Sequence, residues 1–193
     1  MCIRDSFYPL ILLRRKDIFF LCGLFTDTKI IFLQVNVGTC LLYTSKQQPV
    51  YDTLATALGW ILFNAEKKQI DIQVECPEHL DARHDRKWTS EALFNILDNA
   101  VKYTPAGGQI RVSVEGWEMY VKIDIADTGI GISEQHQGTI FKRFYREDAV
   151  HDVDGIGIGL YLAREIVTLQ GGYIRVASEV GKGSTFSVFL LRK

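Results

Sequence analysis

From Val50 to Leu191 the apolar residues switch repeatedly between a helical and an extended period, and few folds accommodate such a succession. Leu54, Leu58, Ile61, Leu62 and Ala65 recur at helical spacing, and Gln69–Cys76 then alternates with Ile70, Ile72, Val74 and Cys76 on one face. Pro77 ends that strand, and a second helix is predicted from about Thr89 to Tyr103, with Ser90 or Thr89 as its cap and Thr104–Gly108 as its stop. Two alternating strands follow, Gln109–Glu115 and Met119–Ala126, joined by a hairpin at Gly116–Glu118. From Asp127 to about Ile158 the pattern stops, apart from a short helical patch near Gln137–Phe144, and a long functional loop is the natural reading. Gly159–Gln170 reads as a third helix, closed by Gly171–Gly172, and the strands Tyr173–Ser178 and Ser184–Leu191 meet at Gly181–Gly183. About five strands and three main helices imply an α/β chain, one sheet covered by helices on one face.

The first 45 residues do not share this order. Phe7–Leu13 and Ile18–Phe25 are apolar, but Arg14–Asp17 separate them and each falls short of the roughly 20 residues of a spanning helix. Met1–Ser6 (MCIRDS) and Cys40–Ser45 (CLLYTS) resemble peptides translated from adapter sequence. Residues 1–45 are therefore expected to be a non-domain segment, non-native or disordered, with a truncated membrane segment as the alternative, and residues 46–193 to be the domain. Of the four cysteines, three lie in that segment and none shows a paired spacing, so neither a disulfide framework nor a zinc site follows, and a reducing compartment is implied. With 22 basic and 23 acidic residues spread along the chain, no field exists to draw a nucleic acid.

Three segments carry candidate chemistry. On the second helix, Glu91, Asn95, Asn99 and Lys102 fall within about 80° of one another, opposite Leu93, Leu97, Ala100 and Val101. A solvated face usually favours Lys and Glu; two asparagines a turn apart, in line with a carboxylate and a lysine, also offer oxygens for a hard cation and a charge for phosphate. Asp127-Thr-Gly129-Ile-Gly131-Ile132 follows a strand directly, so its carboxylate could accept from an exocyclic amine while the glycines let the backbone approach a flat ligand; the same pattern occurs in structural turns. Gly155-Ile-Gly157-Ile-Gly159-Leu160 opens the third helix, where backbone N–H groups can converge on phosphates, although it matches neither GxGxxG nor a P-loop.

The ordered set resembles the catalytic, ATP-binding domain of sensor histidine kinases. Glu91-x3-Asn95-x3-Asn99-x2-Lys102-Tyr103-Thr104-Pro105, Asp127-x-Gly129-x-Gly131, Phe141-x2-Phe144-Tyr145-Arg146, Gly155-x-Gly157-x-Gly159-Leu160 and Gly181-x-Gly183-Ser184-Thr185-Phe186 look like that family's N, G1, F and G2 boxes in order. The resemblance implies a Bergerat-type two-layer α/β sandwich, its sheet mixed but mostly antiparallel, with a flexible ATP lid. It implies Asn95 and Asn99 as ligands of Mg²⁺, Lys102 on phosphate, Tyr103 beside adenine, Asp127 on the adenine amine with Thr185 supporting it through water, and Glu91 as a base. Ile132, the three glycines from Gly155 and Leu160 would border the nucleotide, and Phe141, Phe144 and Arg146 would belong to the lid and the F box. The implied activity is transfer of the γ-phosphate of Mg-ATP to a histidine, with dimerisation and phosphoacceptor helices and a response regulator as partners, in the cytoplasm and without membrane contact by this domain. None of His79, His84, His136 and His151 stands in the family's phosphoacceptor context, so the acceptor is expected on a separate segment. A regulatory ATP-binding module and an anti-sigma-type serine kinase are the alternatives.

Overall fold

The chain divides between Thr44 and Ser45 into two units. The computed structural model describes residues 45–145 and 157–192 of the second, and of the first the backbone of three strands. Those strands, β1 (Leu10–Arg14), β2 (Asp17–Thr26) and β3 (Lys29–Asn36), pair antiparallel in the order β1-β2-β3. Among the described residues no helix is long and apolar enough to cross a membrane.

The second unit runs β4 (Lys46–Pro49), α1 (Val50–Lys67), β5 (Asp71–Glu75), β6 (Asp81–His84), α2 (Arg86–Tyr103), β7 (Gln109–Gly116), β8 (Tyr120–Asp127), α3 (Glu134–Gln137), α4 (Gly159–Leu169), β9 (Tyr173–Glu179) and β10 (Gly183–Leu191). Five strands form one sheet in the order β5-β7-β8-β10-β9, antiparallel throughout except for the parallel pair β5–β7. Strand alternation decides which face the helices cover. Ile110, Val112 and Val114 of β7, Val121, Ile123 and Ile125 of β8, and Phe186, Val188 and Leu190 of β10 stand in register and are buried. Against them lie Leu54, Ala57, Ile61 and Ala65 of α1, Leu93, Ile96, Leu97 and Ala100 of α2, and Leu162, Ala163, Ile166 and Val167 of α4. Each fully buried Leu or Ile contributes about 1.5–3 kcal/mol, which makes this layer the main stabilising term. This is the α/β sandwich expected, with the mostly antiparallel sheet.

The other face holds Phe189, buried beneath its own aromatic neighbours. Its ring stacks on Tyr173 at 4.3 Å and meets Trp117 and Tyr120 edge-on, with the Arg175 guanidinium over both stacked rings.

Several boundaries differ from the sequence reading. Helix α2 begins at Arg86, and its cap is Asp85, whose carboxylate accepts the Trp88 N–H at 2.9 Å. Thr89 and Ser90 are instead buried inside the helix, where Ser90 Oγ donates to the Thr53 carbonyl at 3.1 Å and Thr89 Oγ1 lies 3.3 Å from Gln170 Oε1. The β4–β6 ladder was not foreseen, being two four-residue strands without an apolar stripe. Val74 is exposed although it alternates with buried Ile70, because β5 is an edge strand. The helical patch after β8 is Glu134–Gln137, followed by turns to Phe144.

Candidate functional site

Asp127 ends β8 with the same parity as Val121, Ile123 and Ile125, so the strand itself delivers a carboxylate to the helix-covered face, where it is 8% exposed. Burial pushes its carboxyl above the ordinary value of 3.8, opposed by N–H bonds from the Gly129 and Ser184 backbones, the former at 2.8 Å to Oδ1. The following turn is wedged tightly against its surroundings. A Cβ on Gly129 would lie 2.6 Å from Asp127 Oδ1 and 2.7 Å from the Tyr103 carbonyl oxygen, and one on Gly131, at φ +72°, would lie 2.0 Å from the Glu179 carbonyl oxygen. The motif's glycines are thus demanded by close backbone approach.

Beside Asp127 stands Ser184, its partner in the β8–β10 register, and not Thr185. Thr185 pairs with Ala126 and Ala177 and so alternates to the opposite side of the strand, yet it lines the same pocket as Asp127. The Ser178 hydroxyl donates to the Gly183 carbonyl at 2.8 Å and accepts the Ile132 N–H at 2.7 Å, so the 2.9 Å bond to Ser184 must be donated by Ser184. Asp127, Ser178, Ser184 and Lys182 line a pocket of about 330 Å³. Ser184 and Ser178 were missed because only the observed register tells them from Thr185.

On α2 the expected polar face is present and half-buried at Glu91, Asn95, Asn99, Lys102 and Tyr103. Asn95 Nδ2 donates to the Glu91 carbonyl at 2.8 Å, and Asn95 Oδ1 lies 2.8 Å from where a Cβ on Gly159 would stand, so its oxygen faces the first residue of α4. The structure therefore brings the second helix and the glycine-opened helix together. Burial raises the Glu91 carboxyl above 4.5, opposed by the Asn95 side chain and the charge of Lys87. Lys102 Nζ pairs with Asp98 Oδ2 at 2.6 Å, an acidic neighbour on the same face that the sequence reading omitted although it stands one turn earlier.

Around these, Phe141 is buried edge-on to Phe186 with Arg164 over its ring, and Phe144 is exposed at a left-handed φ of +61°, its N–H bonded to the Gly157 carbonyl at 2.9 Å. Arg143 donates to the Tyr161 hydroxyl and covers its ring. Leu160 sits half-buried in the first turn of α4. Arg146, Gly155 and most of the stretch expected to form the lid lie outside the described residues. Among the described residues no group of three or more His, Cys, Asp or Glu side chains could hold a metal.

The family model of histidine kinase-, DNA gyrase B- and HSP90-like ATPases matches residues 84–193, more than half of the chain. The chain belongs to that family. Within this ATPase family it is 43% identical over 121 residues to the adaptive-response sensory kinase SasA of Synechococcus sp. (strain JA-2-3B'a(2-13)), an alignment covering 62% of this chain and 32% of that protein. The chain spans between about a fifth and a little over a third of the length of the curated relatives it matches. Its fold is similar to the catalytic domain of histidine kinase ThkA, with a TM-score of 0.68 at 23% identity, covering 77% of this chain and 97% of that one. It is also similar to ThkA in complex with the response regulator protein TrrA, with a TM-score of 0.65 at 21% identity over 77% of this chain and 42% of that one.

Proposed function

We propose that residues 46–193 bind Mg-ATP as the catalytic part of a sensor histidine kinase and present its γ-phosphate to a histidine on separate dimerisation and phosphoacceptor helices. The observation that carries this reading is the buried Asp127 carboxylate, held open between two backbone N–H groups at the sheet end, in a chain of this ATPase family. A carboxylate in that position selects a base with an exocyclic amine, and Ser184 and Ser178 hold the strand end on which it stands.

At the phosphate end the Asn95 bond to the Glu91 carbonyl fixes which amide atom faces α4, and the atom presented is the oxygen a hard cation requires. Mg²⁺ bound there by Asn95 and Asn99 would neutralise charge developing on the phosphates. The first turn of α4 adds backbone N–H groups and a favourable dipole. Lys102, already paired with Asp98, contributes a charge that must be shared between that carboxylate and phosphate. An imidazole nitrogen of the acceptor would attack phosphorus as its bond to the β-phosphate oxygen breaks and ADP leaves. A neutral imidazole needs little activation, so Glu91 is assigned to orienting the acceptor or taking its proton. His84 is fully buried and bonded through both ring nitrogens, which removes it as an acceptor. By the same reading the domain works in the cytoplasm and hands its signal to a response regulator.

The test is direct. Nucleotide at 100 times its dissociation constant should stabilise the fold by about 2.7 kcal/mol, visible as a rise in melting temperature with Mg-ATP. The absence of any shift at saturating Mg-ATP would overturn the assignment.

A further inference from the structure

The last four carbonyls of an α-helix have no donor within the helix, and the sequence at the end of α2 deepens the deficit. Pro105 lacks an N–H, so the donor that would ordinarily reach back four residues to Val101 is missing. Thr104 is already extended, at φ −81° and ψ 129°, and its own N–H closes on the Ala100 carbonyl at 3.0 Å. The carbonyls of Val101, Lys102 and Thr104 converge instead on a single ammonium, Lys68 Nζ, at 2.8, 2.9 and 2.8 Å. An ammonium has three donors, and all three are used. Its charge also sits at the negative end of the helix dipole.

One carbonyl of this last turn is left out of the lysine's reach, that of Tyr103. It accepts the Ile130 N–H at 3.3 Å, and it is the atom against which Gly129 is wedged. Gly129 in turn donates its N–H to Asp127 Oδ1. Lys68 is itself anchored by its backbone: its N–H bonds the Asn64 and Ala65 carbonyls at the end of α1, and its carbonyl takes the Gly107 N–H at 3.0 Å. A continuous chain of polar contacts therefore runs from the end of α1 through the end of α2 to the Asp127 turn.

We propose that Lys68 is a positioning residue of the nucleotide site. Its ammonium fixes the last turn of α2 so that the Tyr103 carbonyl holds the Gly129–Ile130 turn, and with it the orientation of the Asp127 carboxylate. This rests on the adenine role given to Asp127 above.

The experiment uses the full chain. Lys68→Met keeps the aliphatic stem and loses the three donors; Lys68→Arg keeps a cation with several. In the nucleotide-free protein, amide exchange at Gly129 and Ile130 should quicken about tenfold in Lys68→Met while Ile123 and Ile125 in the middle of β8 keep their rates. Dissociation constants for adenosine and for Mg-ATP, measured well below the melting temperature, should rise by a common factor of about ten, and Lys68→Arg should recover most of the loss. Loss of melting temperature with unchanged exchange at Gly129 and Ile130 would overturn the proposal, as would unchanged affinity in a variant whose turn has loosened, or weakening of Mg-ATP alone. If the wild type binds neither ligand, the ATP reading fails, and the claim on Asp127 orientation fails with it. The exchange rates still decide whether the ammonium holds the turn. Should Lys68→Met not fold, Lys68→Gln, which keeps two donors, is measured in the same way.

Discussion

Replacing Asp127 by Asn separates what the carboxylate does for the nucleotide from what it costs the fold. Burial raises the carboxyl above 3.8 in spite of two backbone N–H bonds. The native state therefore holds this proton more tightly than the unfolded chain does. The stability that follows is complete below the unfolded value of 3.8 and is lost as pH rises through the raised native value. At neutral pH the empty protein carries the cost of a buried carboxylate, about 1.4 kcal/mol for each unit of displacement. Asparagine cannot ionise, so the variant should melt at an equal or higher temperature at pH 7, and this decline with pH should vanish. Its affinity should move the other way. The variant loses a charged acceptor and turns an amide N–H toward a donor, which costs about 1.5–3 kcal/mol, or roughly ten- to a hundredfold in dissociation constant. Melting curves from acid to neutral pH without nucleotide, with calorimetric titrations of Mg-ATP, metal-free ATP and adenosine, measure both effects. All three ligands should suffer, because Asp127 would meet the base and not the phosphates. A fall in nucleotide-free stability by more than about 1 kcal/mol at pH 7, a drop of roughly 2–4 °C in melting temperature for a chain of this size, would show a structural carboxylate. Unchanged affinity would remove Asp127 from the site.

Asn99→Ala should weaken ATP chiefly when Mg²⁺ is present, with little change for metal-free ATP; titration under both conditions checks this, and equal losses would refute a metal ligand. Removing residues 1–44 should leave the melting transition and nucleotide affinity of the remaining chain unchanged, and a chain that no longer folds would show that the first unit completes the domain. His84 donates from Nδ1 to the Ala82 carbonyl at 3.0 Å and so accepts the Thr53 hydroxyl at Nε2, and burial holds its pKa below the usual 6.5. The native value is depressed, so the stability this neutral ring contributes is full above 6.5 and is lost as pH falls toward the native pKa. His84→Gln should flatten that acid limb in melts between pH 7 and 4.5, and an unchanged limb would place the titration elsewhere.

What could be read from the residues follows how local each cause is. The stripe Val121, Ile123 and Ile125 fixes the parity of Asp127, and the wheel of α2 fixes which side Asn95 and Asn99 share, since both depend on one element's own period. Ser184 could not be told from Thr185 by that means, because which of two adjacent residues stands beside Asp127 depends on the pairing between strands far apart in sequence. The start of α2 was misplaced because Thr89 and Ser90 have the side chains of caps yet spend their hydroxyls on tertiary bonds, while Asp85, three residues before the Trp88 amide, was passed over. Asp98, one turn before Lys102, is legible from the same helical period. The β4–β6 ladder has no period to betray it: KQQP and DARH are held by backbone bonds and by Gln48, whose amide reaches the His84 carbonyl at 2.7 Å.

The parallel pairing of β5 with β7, from Asp71 opposite Gln109 to Glu75 opposite Ser113, has a consequence for the order of assembly. Parallel neighbours cannot be joined by a tight turn, and here the chain between them is β6 and α2, the helix of Glu91, Asn95 and Asn99. The β7–β8 and β9–β10 ribbons can close early, because little chain must be gathered to form either. The β5–β7 pair must wait for the whole crossover to be drawn in, and only then is α2 tethered at both ends above the sheet. A half-assembled chain can own both ribbons, Asp127 included, and still have no place for a nucleotide. Ligand binding would thus distinguish finished molecules from nearly finished ones, and nucleotide present during refolding would act on the long-range closures, β5–β7 and β8–β10, and leave the early ribbons untouched.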